Sequence, residues 1–222
     1  MPGPGSYLVG EEEEKELLEV IRSGHLYRYG AADDPRFQRK VMTLEQEFAR
    51  FVGVEHALAV NSGTSALWIS MMAQGIGEGD EVIVPAYTYV ATYTAILFTG
   101  ATPVLAEVDD TLNLDPEDIE RRITPKTKAI VPVHMLGNPA RLDQILPLAR
   151  EKNLIVIEDC AQAAGARYQG RSVGSYGSMG GFSLNFFKTF TAGDGGLIAT
   201  NDPLLYEKAF GYHDQGHRPL RT

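Results

Sequence analysis

The feature that most constrains this chain is a repeated alternation, from about residue 50 to residue 210, between short apolar runs and stretches with helical spacing of apolar residues. Within each run, apolar residues follow one another directly, so each run predicts a strand that is buried on both faces. Strands of this kind, each followed by a helix, are typical of a mostly parallel sheet. We therefore predict an α/β fold, a three-layer sandwich. The predicted strands are 56–60, 81–85, 102–108, 128–134 and 154–159.

Helical patterns fill the intervals, and glycines follow several of them as stop signals. Pro147 is expected to bend or split the last of these helices. Two shorter strands, 180–184 and 196–200, are joined by a glycine-bearing loop and are predicted to pair antiparallel. Residues 1–50 are predicted to form an N-terminal helical segment and residues 51–222 the large domain. The predicted helices are 11–23, 42–51, 63–74, 88–100, 115–123 and 141–153.

Composition argues against several functional classes. A formal net charge of −9 argues against binding nucleic acid through bulk electrostatics. No apolar run approaches the ~20 residues that a membrane-spanning helix needs. Cys160 is the only cysteine, so no internal disulfide can form, and a reducing cytoplasm is the expected location. We expect no nucleic-acid partner and no membrane partner.

Four features lie where predicted strands end, which is where ligands bind in open α/β sheets. The first, "NSGTSA" (61–66), stands between a strand and a helix, and the N–H groups that begin the helix could hold an anion. Equally, Ser62 or Thr64 could serve only as the N-cap of that helix. The second, "PAYTYVAT" (85–92), includes Tyr89, whose ring could stack on a planar ligand or pack in the core.

The third and fourth features are a carboxylate and an amine. Asp159 ends a buried strand, where a carboxylate is costly unless it meets a metal, a protonated ring nitrogen or the next turn. No cluster with metal-ligand spacing accompanies it, and the histidines of 213–217 lie in a loop-like setting, so no metal site is predicted. Lys188 lies among the phenylalanines of "GGFSLNFFKTFTAGDGG" (180–196). Desolvation by these rings would lower the pKa of its amine and make it nucleophilic, or the lysine could extend to solvent.

Together the four features fit one ligand that carries a phosphate, an aromatic ring, a basic ring nitrogen and a carbonyl group. Pyridoxal 5′-phosphate has all of these, and proteins bind it through a lysine Schiff base and an acidic partner at the ring nitrogen. In this interpretation Asp159 keeps the ring nitrogen protonated, and Lys188 moves a proton between substrate and cofactor carbons. The residues therefore predict a pyridoxal-phosphate enzyme.

Six segments stand in this order along the chain: "NSGTSAL", "PAYTYVAT", "VHMLGNPA", "IEDCAQAAGARYQGRSVGSYG", "FSLNFFK" and "GDGGLIATND". They resemble the DegT/DnrJ/StrS-type aminotransferases, a family of fold-type-I pyridoxal-phosphate enzymes that act on keto sugars, mostly nucleotide-linked, or on keto-cyclitols. The resemblance runs from about residue 5 to the end of the chain. It implies that Lys188 is the Schiff-base lysine and that Asp159 pairs with the ring nitrogen. The other cofactor-binding positions that match are Gln162 near the ring hydroxyl, Tyr89 at the ring face, and Gly63, Thr64 and Ser183 at the phosphate.

The same resemblance implies amino transfer from glutamate or glutamine to the keto substrate, in a homodimer with active sites at the interface. A similar dehydratase branch has histidine at the lysine position, so Lys188 favours transamination over a dehydratase or lyase reaction. Members of the family also carry a C-terminal small domain that closes over the site, and the chain stops before it. We therefore expect that domain to be missing, and an inactive cofactor-binding remnant remains an alternative.

Overall fold

The computed structural model describes residues 3–31 and 33–219. Short 3₁₀ turns cover Pro4–Tyr7 and Met135–Gly137. The α-helices are α1 (Glu11–Ser23), α2 (Lys40–Val52), α3 (Gly63–Ala73), α4 (Ala91–Phe98), α5 (Pro116–Arg122), α6 (Leu142–Glu151) and α7 (Pro203–His213). The strands are β1 (His56–Val60), β2 (Glu81–Pro85), β3 (Thr102–Ala106), β4 (Thr127–Ile130), β5 (Ile155–Asp159), β6 (Arg167–Tyr168), β7 (Arg171–Ser172), β8 (Met179–Ser183) and β9 (Gly196–Thr200).

Seven strands form one sheet in the order β1-β9-β8-β5-β4-β2-β3, and β6 and β7 form a separate hairpin. Neighbours from β8 to β3 are parallel, whereas β9 is antiparallel to both β8 and β1. The mostly parallel α/β sheet is therefore confirmed, as is the antiparallel pairing of β8 with β9. The apolar pattern alone does not predict that β9 also joins β1 to the sheet.

The sheet lies between two layers of helices, as the alternating side chains of β2 show. Val82 and Val84 pack with α3 and α4, whereas Ile83 packs with α5 and α6 on the opposite face. At the other end of the sheet, α7 continues the first layer and α2 continues the second. The prediction of a three-layer sandwich is confirmed.

Single residues account for several helix boundaries. α1 ends at Gly24 and α2 at Gly53, which adopt left-handed φ angles of 67° and 81° that a side chain would disfavour. Asp115 caps α5 by accepting a hydrogen bond from the N–H of Glu117, and Pro116 occupies the first helical position. These boundaries follow the expected capping chemistry.

Two helices differ from their predictions. Pro147 does not split α6: the proline removes only one intrahelical hydrogen bond, and Ile145 and Ala149 on either side of it are buried in the core. A bend at Pro147 stays a prediction. α4 begins at Ala91 rather than at residue 88. The N–H of Ala86 donates to the carbonyl oxygen of Ala106 (2.7 Å), which prolongs the β2–β3 pairing, and the chain then bends over the end of the sheet.

The N-terminal helices differ in how they pack. The structure describes every residue of α1, and none is buried; Leu17 and Ile21 are each 64% exposed. In α2, by contrast, Phe48 packs edge-on against Phe182, with ring centroids 4.9 Å apart. The predicted boundary at residue 50 stays a prediction, and its outer limits, 1–2 and 220–222, lie outside the described residues. No helix in the described ranges is both long enough and apolar enough to span a bilayer.

Candidate active site

A cavity of about 770 Å³ opens beside the ends of β1, β2, β5 and β8. These strands run in one direction, so the side chains that follow them meet at one edge of the sheet. The cavity contains every residue that the sequence assigns to cofactor binding. They are Gly63, Thr64, Tyr89, Asp159, Gln162, Ser183 and Lys188.

One end of the cavity is the N-terminus of α3. The Ser62 hydroxyl accepts a hydrogen bond from the N–H of Ser65 (3.0 Å), so Ser62 serves as the N-cap. Gly63 and Thr64 form the first turn, where N–H groups have no intrahelical acceptor. A Cβ atom on Gly63 would lie only 2.7 Å from Cβ of Ser183, so glycine allows the helix to approach β8 closely. The two amides and the Ser183 hydroxyl together suit an anion.

Asp159 forms the floor of the cavity and is 4% exposed. Its carboxylate accepts hydrogen bonds from the Ala161 N–H (3.0 Å) and from the Thr92 hydroxyl (2.9 Å). Burial raises the pKa of Asp159 above its usual value, although these two donors oppose the shift. Both hydrogen-bond donors are neutral, and a ligand that carries a protonated nitrogen would place a positive charge directly against this carboxylate.

Lys188 reaches the same cavity from the loop between β8 and β9, and its Nζ lies 5.8 Å from the centroid of the Tyr89 ring. The surrounding phenylalanines do not enclose it. Phe186 and Phe187 are 44% and 63% exposed, and Phe182 and Phe190 pack in the core behind the sheet. The predicted desolvation of Lys188 by these rings is therefore wrong, and its aromatic neighbour is Tyr89, which follows another strand.

Gln162 is oriented by the backbone of Leu136. Its Oε1 accepts a hydrogen bond from the Leu136 N–H (3.1 Å), an assignment that leaves Nε2 available to a ligand in the cavity. Leu136 holds this position with a left-handed backbone (φ 53°) and is 72% exposed at the cavity. Left-handed leucines are uncommon, and such conformations cluster at functional sites. The sequence analysis does not single out Leu136, because no residue type marks a positive φ outside glycine and asparagine.

Behind Asp159, a second carboxylate is fully buried. Glu158 accepts four hydrogen bonds. Burial raises its pKa, but the interactions with His134 and with the backbone donors outweigh this effect, so the pKa of Glu158 is lowered overall. The Nδ1 atom of His134 accepts a hydrogen bond from the Ala140 N–H (3.0 Å), which places the ring proton on Nε2. The four donors are Nε2 of His134 (3.0 Å) and the N–H groups of Gly174 (2.8 Å), Tyr176 (2.7 Å) and Gly177 (2.7 Å).

Cys160 lies beside this pair, and one potential ligand atom from each of His134, Glu158 and Cys160 falls within 4.8 Å of the others. Hydrogen bonds already occupy both oxygens of Glu158 and both nitrogens of His134, and burial raises the pKa of the Cys160 thiol well above its usual value. These atoms therefore form a structural network that joins β5 to the loop at 174–177. The absence of a metal site stays a prediction.

Comparison with known proteins identifies one family. Residues 8–222 match the DegT/DnrJ/EryC1/StrS aminotransferase family. The chain belongs to this family. GDP-perosamine synthase of Caulobacter vibrioides (strain ATCC 19089 / CIP 103742 / CB 15) is 48% identical over 184 residues, which cover 82% of this chain and 50% of the synthase.

Solved structures of other proteins share the fold. The aminotransferase from Psychrobacter cryohalolentis is 41% identical, with a TM-score of 0.89 over 95% of this chain and 52% of that protein. NtdA from Bacillus subtilis, solved with bound cofactor PMP, is 30% identical, with a TM-score of 0.81 over 94% of this chain and 46% of NtdA. This DegT/DnrJ/EryC1/StrS-family chain thus spans about half the length of the relatives it matches.

One part of the cavity lies before the residues that match the family. Pro4 lines the cavity, and the family match begins at residue 8. The N–H groups of Gly3 and Gly5 donate to the carbonyl oxygens of Phe186 and Lys188 (3.2 and 3.3 Å). Residues 3–5 therefore contact the loop that carries the lysine.

Proposed function

We propose that this chain provides the cofactor site of a pyridoxal-phosphate aminotransferase. The enzyme moves an amino group from glutamate or glutamine to a nucleotide-linked keto sugar or to a keto-cyclitol. The observation that carries the proposal is one cavity lined by the amine of Lys188, the buried carboxylate of Asp159 and the helix N-terminus at Gly63 and Thr64. An amine, an acid for a ring nitrogen and an anion site are what this cofactor requires of a protein. The PMP-bound relative supports the cofactor, and the name GDP-perosamine synthase supports a nucleotide-linked sugar.

The residues present fit the cofactor. When bound, pyridoxal phosphate supplies an aldehyde that reacts with amines and a protonated ring that accepts the electron pair released at a substrate carbon. The amides of Gly63 and Thr64 and the hydroxyl of Ser183 would hold its phosphate. Asp159 would hold the proton at the ring nitrogen, because a protonated nitrogen would offset the burial that raises the pKa of this carboxyl group.

Lys188 would perform the proton transfer. Its amine would anchor the cofactor when no substrate is present and, once displaced by the donor's amine, would take the proton from the substrate carbon and return it. The Tyr89 ring, whose centroid lies 5.8 Å from Lys188 Nζ, would pack on the cofactor ring and set its distance from the amine. The Gln162 Nε2 group would donate to the ring hydroxyl.

The first experiment tests the anchoring lysine. Purified full-length protein is mixed with pyridoxal phosphate and reduced with borohydride, and peptide mass spectrometry locates the added mass. We expect it on Lys188, and we expect Lys188→Arg, which keeps the charge but cannot be trapped, to carry none. Addition to other lysines only, or none in the wild-type protein, would reject the assignment of Lys188.

The second experiment tests the reaction class. The full-length protein is incubated with glutamate or glutamine and a panel of nucleotide keto sugars and keto-cyclitols. Formation of the oxo acid together with an aminated product supports transamination. Loss of water from the sugar without consumption of the donor would instead show a dehydratase.

We also propose a homodimer whose interface adjoins the cavity. Several apolar side chains around the cavity are largely exposed, although side chains of this size are normally covered. A second copy of the chain would cover them and close the site. The residues are Tyr87 (51% exposed), Tyr89 (65%), Val90 (56%), Phe186 (44%) and Phe187 (63%).

A cytoplasmic location is part of the proposal. Cys160 is the single cysteine of the sequence, and it is a buried free thiol. A chain that carries no disulfide of its own suits a reducing compartment. Fractionation of the producing cells, with the protein detected by antibody, tests this location.

A further inference from the structure

Residues 3–6, which we call the N-terminal clamp, lie directly on the loop that carries Lys188. The Gly3 N–H donates to the carbonyl oxygen of Phe186 (3.2 Å), and the Gly5 N–H donates to the carbonyl oxygen of Lys188 (3.3 Å). Alternate residues of the two segments are thus joined, as in a short parallel pairing of strands. Both glycines are buried.

The contact leaves no space for a side chain at either glycine. A Cβ atom on Gly3 would lie 2.2 Å from the carbonyl carbon of Phe187, and one on Gly5 would lie 2.6 Å from Cα of Phe190. These atoms belong to the backbone of residues 184–195, the loop between β8 and β9, which we call the lysine loop. They therefore move only if the lysine loop itself moves. Gly3 has φ −74°, an ordinary value for any residue. Close approach, not backbone conformation, therefore requires glycine here.

The clamp is itself held in one conformation. The N–H and the hydroxyl of Ser6 both donate to the carbonyl oxygen of Gly3 (3.1 and 2.7 Å), which closes a turn around Pro4. The proline ring fixes φ of that residue and lines the cavity. An ordered, compact segment of this kind holds a neighbouring loop more firmly than a free chain end would.

The lysine loop needs such support. On its inner side the Phe186 N–H donates to the carbonyl oxygen of Gly193 (3.0 Å), and the Lys188 N–H donates to that of Asn185 (2.9 Å). On its outer side Phe186, Phe187 and Thr189 are exposed. The clamp therefore supplies hydrogen bonds to the backbone two residues before the lysine and at the lysine itself.

We propose that the N-terminal clamp positions Lys188 for its reaction with the cofactor. The assignment rests on the proposed function, because it concerns the placement of the same amine. Gly3 and Gly5 are positioning residues; they touch the backbone of the lysine loop and act through it. Substitution of either glycine changes no residue that lines the cavity, but it loosens the segment that carries Lys188.

The test uses the full-length protein with Gly5→Ala or Gly3→Ala, and Gly10→Ala as the matched control. Gly10 is exposed, and the nearest atom to a Cβ there is the carbonyl oxygen of Leu8 at 3.9 Å, so the same added methyl group meets no obstacle. Amide hydrogen exchange is first measured without cofactor. We expect exchange at residues 184–195 to rise roughly tenfold in the clamp variants, in keeping with the loss of two hydrogen bonds, and to stay unchanged in Gly10→Ala.

Pyridoxal phosphate is then titrated into each protein, and trapping at Lys188 is measured with borohydride. We expect affinity to weaken about tenfold in the clamp variants and not in the control. A role in stability alone would raise exchange across the whole sheet, including β5, instead of in the lysine loop. Clamp variants that exchange and bind like Gly10→Ala would overturn the proposal.

Two further outcomes are separable. If the wild-type protein binds no cofactor at Lys188, the proposed function fails, while exchange in the cofactor-free protein still decides whether the clamp holds the loop. If the alanine variants do not fold, deletion of residues 2–6 removes the clamp without inserting atoms. Unchanged protection of residues 184–195 in a folded deletion variant would also overturn the proposal.

Discussion

At the scale of single residues, Thr92 donates a side-chain hydrogen bond that favours the ionised form of Asp159. Thr92→Val keeps the shape of the side chain but removes the hydrogen bond to the carboxylate, so the pKa of Asp159 should rise further. We expect roughly a tenfold loss of transamination and an acidic limb of the pH–rate profile that moves to higher pH. Thr92→Ser retains the hydroxyl and should keep the wild-type profile. A Val variant that titrates like the wild type would contradict this role.

The sequence predicted the residues that line the cavity better than the residues that support them. Lys188 and Asp159 stand out because a charge at the end of an apolar run is unusual. Thr92 and Glu158 do not, because their partners lie far along the chain and only the folded sheet brings them together. The phenylalanines around Lys188 were misleading for the same reason, since neighbours in sequence on β8 and its loop face different sides of the sheet.

At the scale of elements, Glu158 joins β5 to the loop at 174–177. Glu158→Gln replaces one acceptor oxygen with an amide that faces backbone N–H donors, so buried donors lose their partner. We expect a loss of about 3 kcal/mol or more in the free energy of unfolding, measured by urea denaturation. Glu151→Gln, at an exposed pair with Lys152, should change it by less than about 1 kcal/mol. Equal effects at the two positions would argue against the network.

A second network joins α7 to α2 through Arg28. The Arg28 guanidinium donates to Nε2 of His213 (2.7 Å) and to Oε1 of Glu45 (2.8 Å). Burial, with a smaller effect of the Arg28 charge, lowers the pKa of His213 below its usual 6.5. The unfolded chain therefore binds more protons than the folded one as the pH falls below that value, and stability is lost on that side.

This network predicts a pH dependence. The contribution of His213 to the free energy of unfolding should be fully present above its usual pKa and should decline as the pH falls through 6.5 toward the lower folded value. Urea denaturation of the wild type and of His213→Gln is measured from roughly pH 8 to pH 5. The difference between their free energies of unfolding isolates the contribution of His213. The glutamine oxygen can still accept from Arg28 but does not titrate. Parallel curves for the two proteins would contradict the prediction.

The elements themselves were largely predictable, because strand burial and capping residues are local signals. Asp115 and Gly24 mark helix ends that the structure reproduces. Errors arose where tertiary contacts override local preference. Pro147 is tolerated because the core holds α6 on both sides of it, and α4 starts late because Ala86 still pairs with β3.

At the scale of the whole molecule, the exposed apolar side chains beside the cavity predict self-association. Val90→Asp places a charge in the proposed interface and should shift the protein from dimer to monomer in sedimentation experiments. Leu204→Asp is the control, since Leu204 is similarly exposed (66%) but follows β9 at the opposite end of the sheet from the cavity. A Val90 variant that remains dimeric would place the interface elsewhere.

Sheet order was the part of the architecture beyond the reach of the sequence pattern. Continuous apolar runs predict parallel strands and two helical layers, but they do not predict which strands are neighbours in the sheet. β9 illustrates this limit: its residues look like those of the other strands, yet it runs antiparallel between β8 and β1.

The position of β9 also affects the order in which the chain can fold as it is made. β1 is translated early, but its neighbour in the sheet, residues 196–200, leaves the ribosome only after β2, β3, β4, β5 and β8. Until then, the edge of β1 that pairs with β9 is open, and the apolar side chains of α3 that pack on this end of the sheet lack part of their cover. The nascent protein must therefore keep this edge from pairing with other chains until β9 arrives.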